Sequence, residues 1–193
     1  MRFHRALRIR TLAWLGLCLG AALLAGCGSM NVVSDGADTD LMLGGNDPVA
    51  YFTQGKATPG RPDIKTVHRG FTYRFASDEN RRLFITNADR YVPQFGGFCT
   101  NGMTYAVPIA GRTDSFKIID GRLYMFNDLR TRLYFEMDQE RNLKLARHYW
   151  EAEVRDSNRE LQSLKRLLFR VPHYKTNAEL AAEYERRFGK KPG

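Results

Sequence analysis

The sequence predicts an α+β domain: two short β-hairpins with packed helices, followed by a helical C-terminal extension. Three patterns indicate this fold. Apolar and polar residues alternate on both sides of two-residue turns at Arg69-Gly70 and Asp120-Gly121, as in hairpins with one buried face. Helix-capping residues precede several short segments. From residue 143 to residue 168, apolar side chains recur at steps of three and four, which is the period of a helix.

The first half of the domain is expected to begin with a capped turn and a hairpin. Asp47 can cap a short helical turn, because a proline follows it in the position that a first turn tolerates. Phe71, Tyr73 and Phe75 then alternate onto one face of the first hairpin. If the turn is as predicted, His68 lies opposite Phe71 and shares that aromatic face.

The sequence also predicts where several helices begin and end. Ser77 is the expected cap of a helix that ends near Asn87. Ser157 and Glu160 have the spacing of a capping box, which predicts a break in the long apolar stripe near that point. Residues 176–189 have a second box and a closing glycine, so they predict a last helix.

The N-terminus is typical of an export signal. Residues 1–26 contain four arginines and then an apolar run over residues 12–25, in the order of a signal peptide. That run is shorter than the roughly 20 residues that a membrane-spanning helix needs. We therefore expect residues 1–26 to be removed.

The end of the signal resembles a bacterial lipoprotein box, since the letters "LAG" lead directly into Cys27. The resemblance implies that Cys27 becomes the first residue of the mature chain and carries the lipid anchor. Gly28 stands where an aspartate would resemble the inner-membrane retention signal, so the resemblance implies the outer membrane, facing the periplasm. Residues 27–40, most of them small or polar, are expected to form a flexible tether.

The charge pattern does not favour nucleic acid as a partner. Four of the 30 basic residues and none of the 21 acidic residues fall in the signal, so the mature chain has 26 basic residues against 21 acidic ones. These charges are mixed along the chain rather than gathered into one basic block. We expect a solvated surface of mixed sign.

Cysteine usage directs attention to one thiol. Cys18 lies in the signal and Cys27 at the lipidation site, so Cys99 is the only free thiol of the mature chain and has no disulfide partner within it. Gly96 and Gly97 precede it, and they allow positive φ angles and exposed amides that stabilise a thiolate. The alternative is that Cys99 is a small apolar side chain packed among aromatic residues.

Possible partners of this thiol have two interpretations each. His68 is either a structural residue at a hairpin end or a group that lowers the thiol pKa or shares a metal ion. Met103 is either filler in the core or a thioether ligand that, with the thiolate, selects Cu(I). Gln94, Tyr73 and Tyr91 can donate hydrogen bonds into a site, but nothing local separates them from structural polar groups.

The ordered blocks "LGGNDPVAYF", "GKATPG", "GFTYRFASDENRRLF", "RYVPQFGGFC", "IIDGRLYMF" and "LARHYW" resemble the YHS-domain family, in its exported branch. The resemblance covers residues 41–154, and the helical extension, residues 155–193, lies outside it. It implies a small cysteine-containing metal-binding module of the kind found beside copper-handling and other metal-handling proteins, with Cys99 as the reactive position. Ala50 stands where another branch has a cysteine, which argues against a site built from several thiolates.

Two classes of function follow from the sequence. The first is a lipid-anchored periplasmic module for soft-metal binding or thiol redox chemistry centred on Cys99, with His68 and Met103 as further ligands and copper or another soft metal as the ion. The alternative is a non-catalytic envelope lipoprotein that binds a protein partner or a small apolar ligand. An enzyme is the weakest version of the first class, because no catalytic set can be recognised. The two classes differ in whether Cys99 lines a pocket with His68 or Met103, or is enclosed in the core.

Overall fold

The computed structural model describes residues 30–193. Pairs of consecutive strands are followed by one or more helices in this part of the chain, and the predicted α+β class is confirmed. The predicted export signal and Cys27 lie outside the described residues. No helix between residues 30 and 193 has both the length and the apolar character needed to cross a bilayer.

Six strands form two sheets in the described part of the chain. The strands are β1 (Val32–Val33), β2 (Leu41–Met42), β3 (Arg61–His68), β4 (Phe71–Phe75), β5 (Arg112–Ile119) and β6 (Arg122–Phe126). The first sheet has the order β1-β2-β4-β3, and the second is the hairpin β5-β6. Strand β2 pairs in parallel with β4, whereas the other pairs are antiparallel.

Eight α-helices complete the described residues. They are α1 (Ala50–Thr53), α2 (Asp78–Thr86), α3 (Ala88–Tyr91), α4 (Thr100–Met103), α5 (Leu129–Glu136), α6 (Gln139–Tyr149), α7 (Arg159–Leu168) and α8 (Asn177–Phe188). Two 3₁₀ turns lie at Leu43–Gly45 and Gln94–Gly97. A π-helical turn, Trp150–Val154, continues directly from α6.

Both predicted hairpins are confirmed, with left-handed backbone at their turns. Arg69 and Gly70 have φ angles of 52° and 84°, and Asp120 and Gly121 have φ angles of 49° and 69°. Two positive φ angles in a row are the geometry that matches the twist of paired strands. As expected from this turn, His68 is the partner of the first residue of β4.

Two apolar clusters lie under the two hairpins, and we name each after its hairpin. The first-hairpin cluster consists of Met42, Val49, Ile64, Tyr73, Phe75, Phe84 and Tyr91. The second-hairpin cluster consists of Phe95, Phe98, Cys99, Met103, Ala106, Ile119, Tyr124, Phe126, Phe135, Leu143, Ala146 and Val154. The second cluster thus joins strands β5-β6 to the helices that follow them.

A buried carboxylate connects three elements around the first cluster. Asp47 is fully buried, and its Oδ1 accepts hydrogen bonds from the N–H groups of Val49 (2.8 Å) and Ala50 (3.3 Å). Its Oδ2 accepts from the Ala76 N–H at 2.8 Å and from Asn80 Nδ2 at 2.7 Å. The predicted cap at Asp47 is confirmed, and the same side chain also holds the end of β4 and the first turn of α2.

The segment expected to be a flexible tether is docked on the domain from Met30 onward. The Asn31 N–H donates to the Gly96 oxygen at 2.8 Å. The Asn31 side-chain amide donates to the carbonyl oxygens of Gly97 and Gly111, both at 3.0 Å. Strand β1 then pairs with β2. The prediction of a flexible tether is wrong for residues 30–40. A run of small and polar residues does not indicate the backbone pairing and side-chain contacts that hold this segment on the domain.

An ionic cluster fixes the next part of the same segment. Arg74 on β4 is nearly buried and contacts Asp35 (2.6 Å) and Asp38 (2.5 Å). Asp38 also pairs with Lys65 at 2.6 Å. The hydrogen bond from Arg74 is the main reason why the pKa of Asp35 falls from its usual 3.8 to about 2.

The predicted break in the long C-terminal stripe is confirmed, but its cap is a different residue. Asn158 Oδ1 accepts hydrogen bonds from the N–H groups of Glu160 and Leu161, both at 3.0 Å. Ser157, the expected cap, instead donates its hydroxyl to the Val154 oxygen at 2.9 Å. At the last helix, the predicted capping box at Thr176 and the terminating glycine are both present.

We predict that Asp47→Ala lowers the free energy of unfolding by at least about 3 kcal/mol, because it leaves several buried donors without an acceptor. Asp47→Asn should also destabilise, since its amide hydrogens would face N–H donors. Urea unfolding followed by circular dichroism measures both. Asp63→Ala, which removes a solvent-exposed partner of Arg61, is the control and should change stability little. Equal effects of the changes at the two positions would contradict the role given to Asp47.

We predict that the Asp35–Arg74 contact makes stability depend on pH. Because folding lowers the pKa of Asp35 from 3.8 to about 2, the contribution is present above the higher value and disappears as the pH falls through the lower one. Asp35→Asn should therefore reduce the urea midpoint near neutral pH and leave it unchanged at the acid end of this range. Asp40→Asn at an exposed position is the control, and a constant effect of Asp35→Asn at all pH values would refute the prediction.

Candidate functional site

The segment before Cys99 has an unusual backbone. Phe95, Gly96 and Gly97 have φ angles of 54°, 59° and 79°. Positive φ was expected at the two glycines and is present at both, whereas Phe95 adopts it against the preference of a residue with a Cβ. This turn delivers the chain to Cys99, whose N–H donates to the Ile109 oxygen at 2.8 Å.

Cys99 is enclosed in the second-hairpin cluster and has no exposed surface. Burial raises the pKa of its thiol, and hydrogen bonds from groups at Gly102, Asn127 and Thr131 offset only part of this effect. The interpretation of Cys99 as a reactive thiol with a lowered pKa is therefore wrong, and the alternative of a small apolar side chain packed among aromatic residues agrees with the structure. The glycines turn the chain inward, so they bring Cys99 to the core rather than to a surface.

The three predicted soft-metal ligands are not brought together. Met103 is fully buried in the same cluster as Cys99, and its N–H donates to the Cys99 oxygen at 3.0 Å. His68 instead packs against the first-hairpin cluster, with its ring centroid 6.4 Å from that of Tyr73 and 5.7 Å from that of Phe84. Within residues 30–193 there is no group of three or more His, Cys, Asp or Glu side chains able to hold a metal ion.

His68 has a nitrogen without a hydrogen bond. Its Nε2 atom is buried and lacks a partner among the described residues. The nearest acidic oxygen, Oδ1 of Asp89, is 4.0 Å away, which is beyond hydrogen-bond distance. Asp89 is instead bonded to Arg69 at 2.8 Å. The imidazole therefore retains an unused donor or acceptor that is enclosed and is on the side of Asp89.

A cleft of about 330 Å³ opens on one side of this histidine. We call it the aromatic cleft, and its aromatic walls and main polar lining groups are Phe71, Tyr73, Phe95, Trp150, His68, Gln94, Glu151 and Arg155. Its volume lies within the range of small-molecule sites. Met30, the first described residue, also lines it.

Local backbone features place two walls of the cleft. The π-helical turn begins at Trp150, whose oxygen accepts a hydrogen bond from the Arg155 N–H at 2.9 Å. Such turns displace side chains from the regular helical positions and occur often at functional sites. Phe95, held at positive φ, lies with its ring centroid 6.1 Å from that of Trp150. Both irregular segments therefore contribute an aromatic side chain to the same cleft.

The polar groups of the cleft divide into paired and unpaired ones. Arg155 contacts Glu151 at 2.5 Å, so these two charges neutralise each other at the rim. The Gln94 amide forms no hydrogen bond with any residue from 30 to 193. The Gln94 side chain is therefore a polar group of the lining that is available to a ligand.

A second depression, of about 420 Å³, lies on the other side of His68, with Thr66, Ile85, Asn87 and Asp89 among its lining. It is larger, but it is more polar and more open to solvent than the aromatic cleft. Few aromatic side chains contribute to it. Small-molecule sites are typically concave and mostly apolar, so the aromatic cleft is the better candidate.

Comparisons with protein-family models, with characterised proteins and with solved structures found no match to this chain. The resemblance to the YHS-domain family remains a prediction from the sequence. Of the polar residues proposed from sequence, His68, Gln94 and Tyr73 line the aromatic cleft, whereas Tyr91 is buried in the first-hairpin cluster. Trp150 falls within the apolar stripe predicted over residues 143–168, and its place in the cleft was not predicted because a π-helical turn has no recognisable sequence pattern.

We predict that native Cys99 resists alkylation at neutral pH and reacts only when the protein unfolds, because its sulfur is buried and its pKa is raised. Labelling with iodoacetamide across a urea series, followed by mass spectrometry, measures this. Cys99→Ser should cost about 1 to 3 kcal/mol, since a hydroxyl would replace the thiol in an apolar cluster.

The control for this labelling is Glu79→Cys, which adds a thiol at an exposed helical position. Its thiol should react in the native protein while Cys99 does not. Labelling of Cys99 in the native state at the rate of the added thiol would show that the burial described here is incorrect.

Proposed function

We propose that this protein is a non-catalytic, lipid-anchored envelope protein whose YHS-like domain binds a small ligand in the aromatic cleft. The observation that carries this proposal is the meeting of four aromatic side chains around a cavity of about 330 Å³, with the unpaired Gln94 side chain beside them. Aromatic walls supply large apolar contact area, and a few polar groups fix the orientation of a ligand. This is the arrangement of a binding site rather than of a catalytic one.

The lining favours a neutral ligand with an aromatic or apolar body and one hydrogen-bonding group. The rim charges of Arg155 and Glu151 are already paired with each other, and Arg69 is paired with Asp89. An added charge on the ligand would therefore compete with existing ion pairs. The Gln94 side-chain amide can instead bind a hydroxyl, carbonyl or amide group.

The proposed lipid anchor supports a ligand that arrives at the membrane surface. Cys27 precedes Met30 by three residues, and three extended residues span at most about 11 Å. Met30 lines the aromatic cleft. A lipid on Cys27 would accordingly hold the opening of the cleft close to the bilayer, where apolar molecules accumulate.

The soft-metal or thiol-redox function draws less support from the geometry. A metal ion or an oxidant would have to enter the second-hairpin cluster to reach Cys99 or Met103, which are both fully buried. His68 lies against the other cluster. The binding function requires no such opening of the core, so it is the function we propose.

The test is a titration of the full chain, solubilised in detergent, with benzamide, a neutral and water-soluble aromatic amide. Trp150 is the only tryptophan in residues 27–193, so its emission reports on the cleft once the signal has been removed. We expect a saturable change in emission, and Phe71→Ala should weaken binding about tenfold by removing one aromatic wall. Gln94→Ala should weaken it by removing the hydrogen bond.

Phe188→Ala is the control for these substitutions, because it removes an aromatic side chain exposed on α8 and outside the cleft. It should leave the titration unchanged. The absence of saturation, or equal effects of Phe71→Ala and Phe188→Ala, would reject the cleft as the binding site.

A further inference from the structure

Helix α7 carries its apolar residues on the outside of the protein. Large apolar side chains of α7 and of the residue after it are between 51 and 70 % exposed: Leu161, Leu164, Leu167, Leu168 and Phe169. At 100° per residue, the four leucines fall within one face about 120° wide. An amphipathic helix of a soluble domain normally turns such a face toward the core. Helix α7 has the opposite orientation, with this face toward the solvent.

Polar contacts hold α7 in this orientation. Gln162 is only 4 % exposed, and its Nε2 donates to the Ala106 oxygen at 2.9 Å. Arg166, one turn further on, is almost buried and forms an ion pair with Glu153 at the π-helical turn. The side of α7 that faces the domain is therefore polar and is held by a hydrogen bond and an ion pair. Rotating the leucines inward would break both contacts, so their exposure is a property of the fold.

Basic residues stand at the two ends of this apolar face. Arg159 begins α7, and Arg170 follows its last turn. Neither forms a salt bridge with an acidic side chain in the described part of the chain. Their guanidinium groups lie over the rings of Phe98 (5.4 Å) and Tyr174 (4.5 Å). The charge of Arg170 is also one of the causes that lower the pKa of Glu179. Glu160, in the first turn, is the one acidic residue of α7, and it is exposed. Leucines on one face with arginines at both ends of the helix are the pattern of helices that lie in a membrane interface.

The chain enters the domain near the beginning of α7. Met30 and Arg155 line the same cleft, and Arg155 precedes α7 by only a few residues. The next residue after Met30, Asn31, is bonded to Gly96 and Gly97. Phe98, directly after these glycines, lies under Arg159. The N-terminal end of the described chain and the start of α7 are therefore neighbours.

We propose that the apolar face of α7, continued by Phe169, lies in the interface of a bilayer that contains anionic phospholipid. The leucines would enter the boundary between headgroups and acyl chains, and Arg159 and Arg170 would contact lipid phosphates. A second copy of the chain fits this face less well, because antiparallel packing of two α7 helices places Arg159 of one beside Arg170 of the other. The inference uses the proposed function only in that a lipid on Cys27 would bring this face to the bilayer.

The experiment places a fluorescent probe on the face in the full chain. Leu168→Trp is combined with Trp14→Phe and Trp150→Phe, so that the probe is the one tryptophan of the chain. The protein is reconstituted into vesicles of phosphatidylglycerol and phosphatidylcholine with brominated acyl chains. We expect blue-shifted emission that the bromine atoms quench, and a weaker effect without phosphatidylglycerol. The matched control is Ile85→Trp in the same background, because Ile85 is 58 % exposed on α2, and its probe should stay in water.

Two results would overturn the proposal. One is a probe at position 168 that acrylamide reaches as readily as the probe at position 85 in the presence of vesicles. The other is a blue shift that depends on protein concentration and needs no lipid, which would assign the face to a second copy. Leu164→Glu and Leu167→Glu, added to the protein with the probe at position 168, should abolish the blue shift and the bromine quenching with the melting temperature unchanged, since both side chains are exposed.

The mass of the N-terminal peptide shows whether Cys27 carries a lipid. The membrane contact of α7 and the proposed anchor can therefore be judged separately. A lipidated Cys27 with an unquenched probe would reject the contact of α7 and leave the anchor in place. A chain without lipid whose probe is still quenched on addition of phosphatidylglycerol vesicles would reject the anchor and support the contact.

Discussion

The carboxylate of Asp47 is the interaction on which the first half of the fold depends. Removing a charged group from water is costly, and no basic side chain of the described residues pairs with Asp47 to compensate for it. The buried carboxylate of Asp47 is instead stabilised by four hydrogen-bond donors, which come from three separate parts of the chain. Helix α1, the end of β4 and the start of α2 must therefore adopt their native positions together. Strand β4 also carries Tyr73 into the aromatic cleft, so the geometry of the candidate site depends on the same carboxylate.

Features governed by neighbouring residues were predictable from the sequence. The turn at Arg69-Gly70 follows from the need for two positive φ angles, and it alone places His68 opposite Phe71. Ser77 caps α2 as expected, because its hydroxyl accepts a hydrogen bond from an N–H only three residues away. In each case the interacting groups lie within a few residues of one another, so a short stretch of sequence contains the whole physical cause.

Features governed by distant contacts were not predictable. Whether Cys99 lies outside or inside depends on how strands β5-β6 and helix α6 close around it, and the local glycines are compatible with both outcomes. The leucines of α7 have a helical period, but the period does not say which side faces the protein. That choice is made by Gln162 and its partner Ala106, 56 residues earlier in the chain. The candidate site shows the same division: its polar residues were visible in the sequence, and its aromatic enclosure was not.

The docking of residues 30–40 has a mechanical consequence. A pulling force applied at Met30 would load the three hydrogen bonds of Asn31 first, then the two-residue pairing of β1, and last the ion pairs of Arg74. These contacts lie in series, so they would yield one after another while Leu41 and Met42, which are buried, keep the cores closed. Release of residues 30–40 would lengthen the tether by at most roughly 35 Å. Under tension the domain would thus move further from its point of attachment before its apolar clusters open.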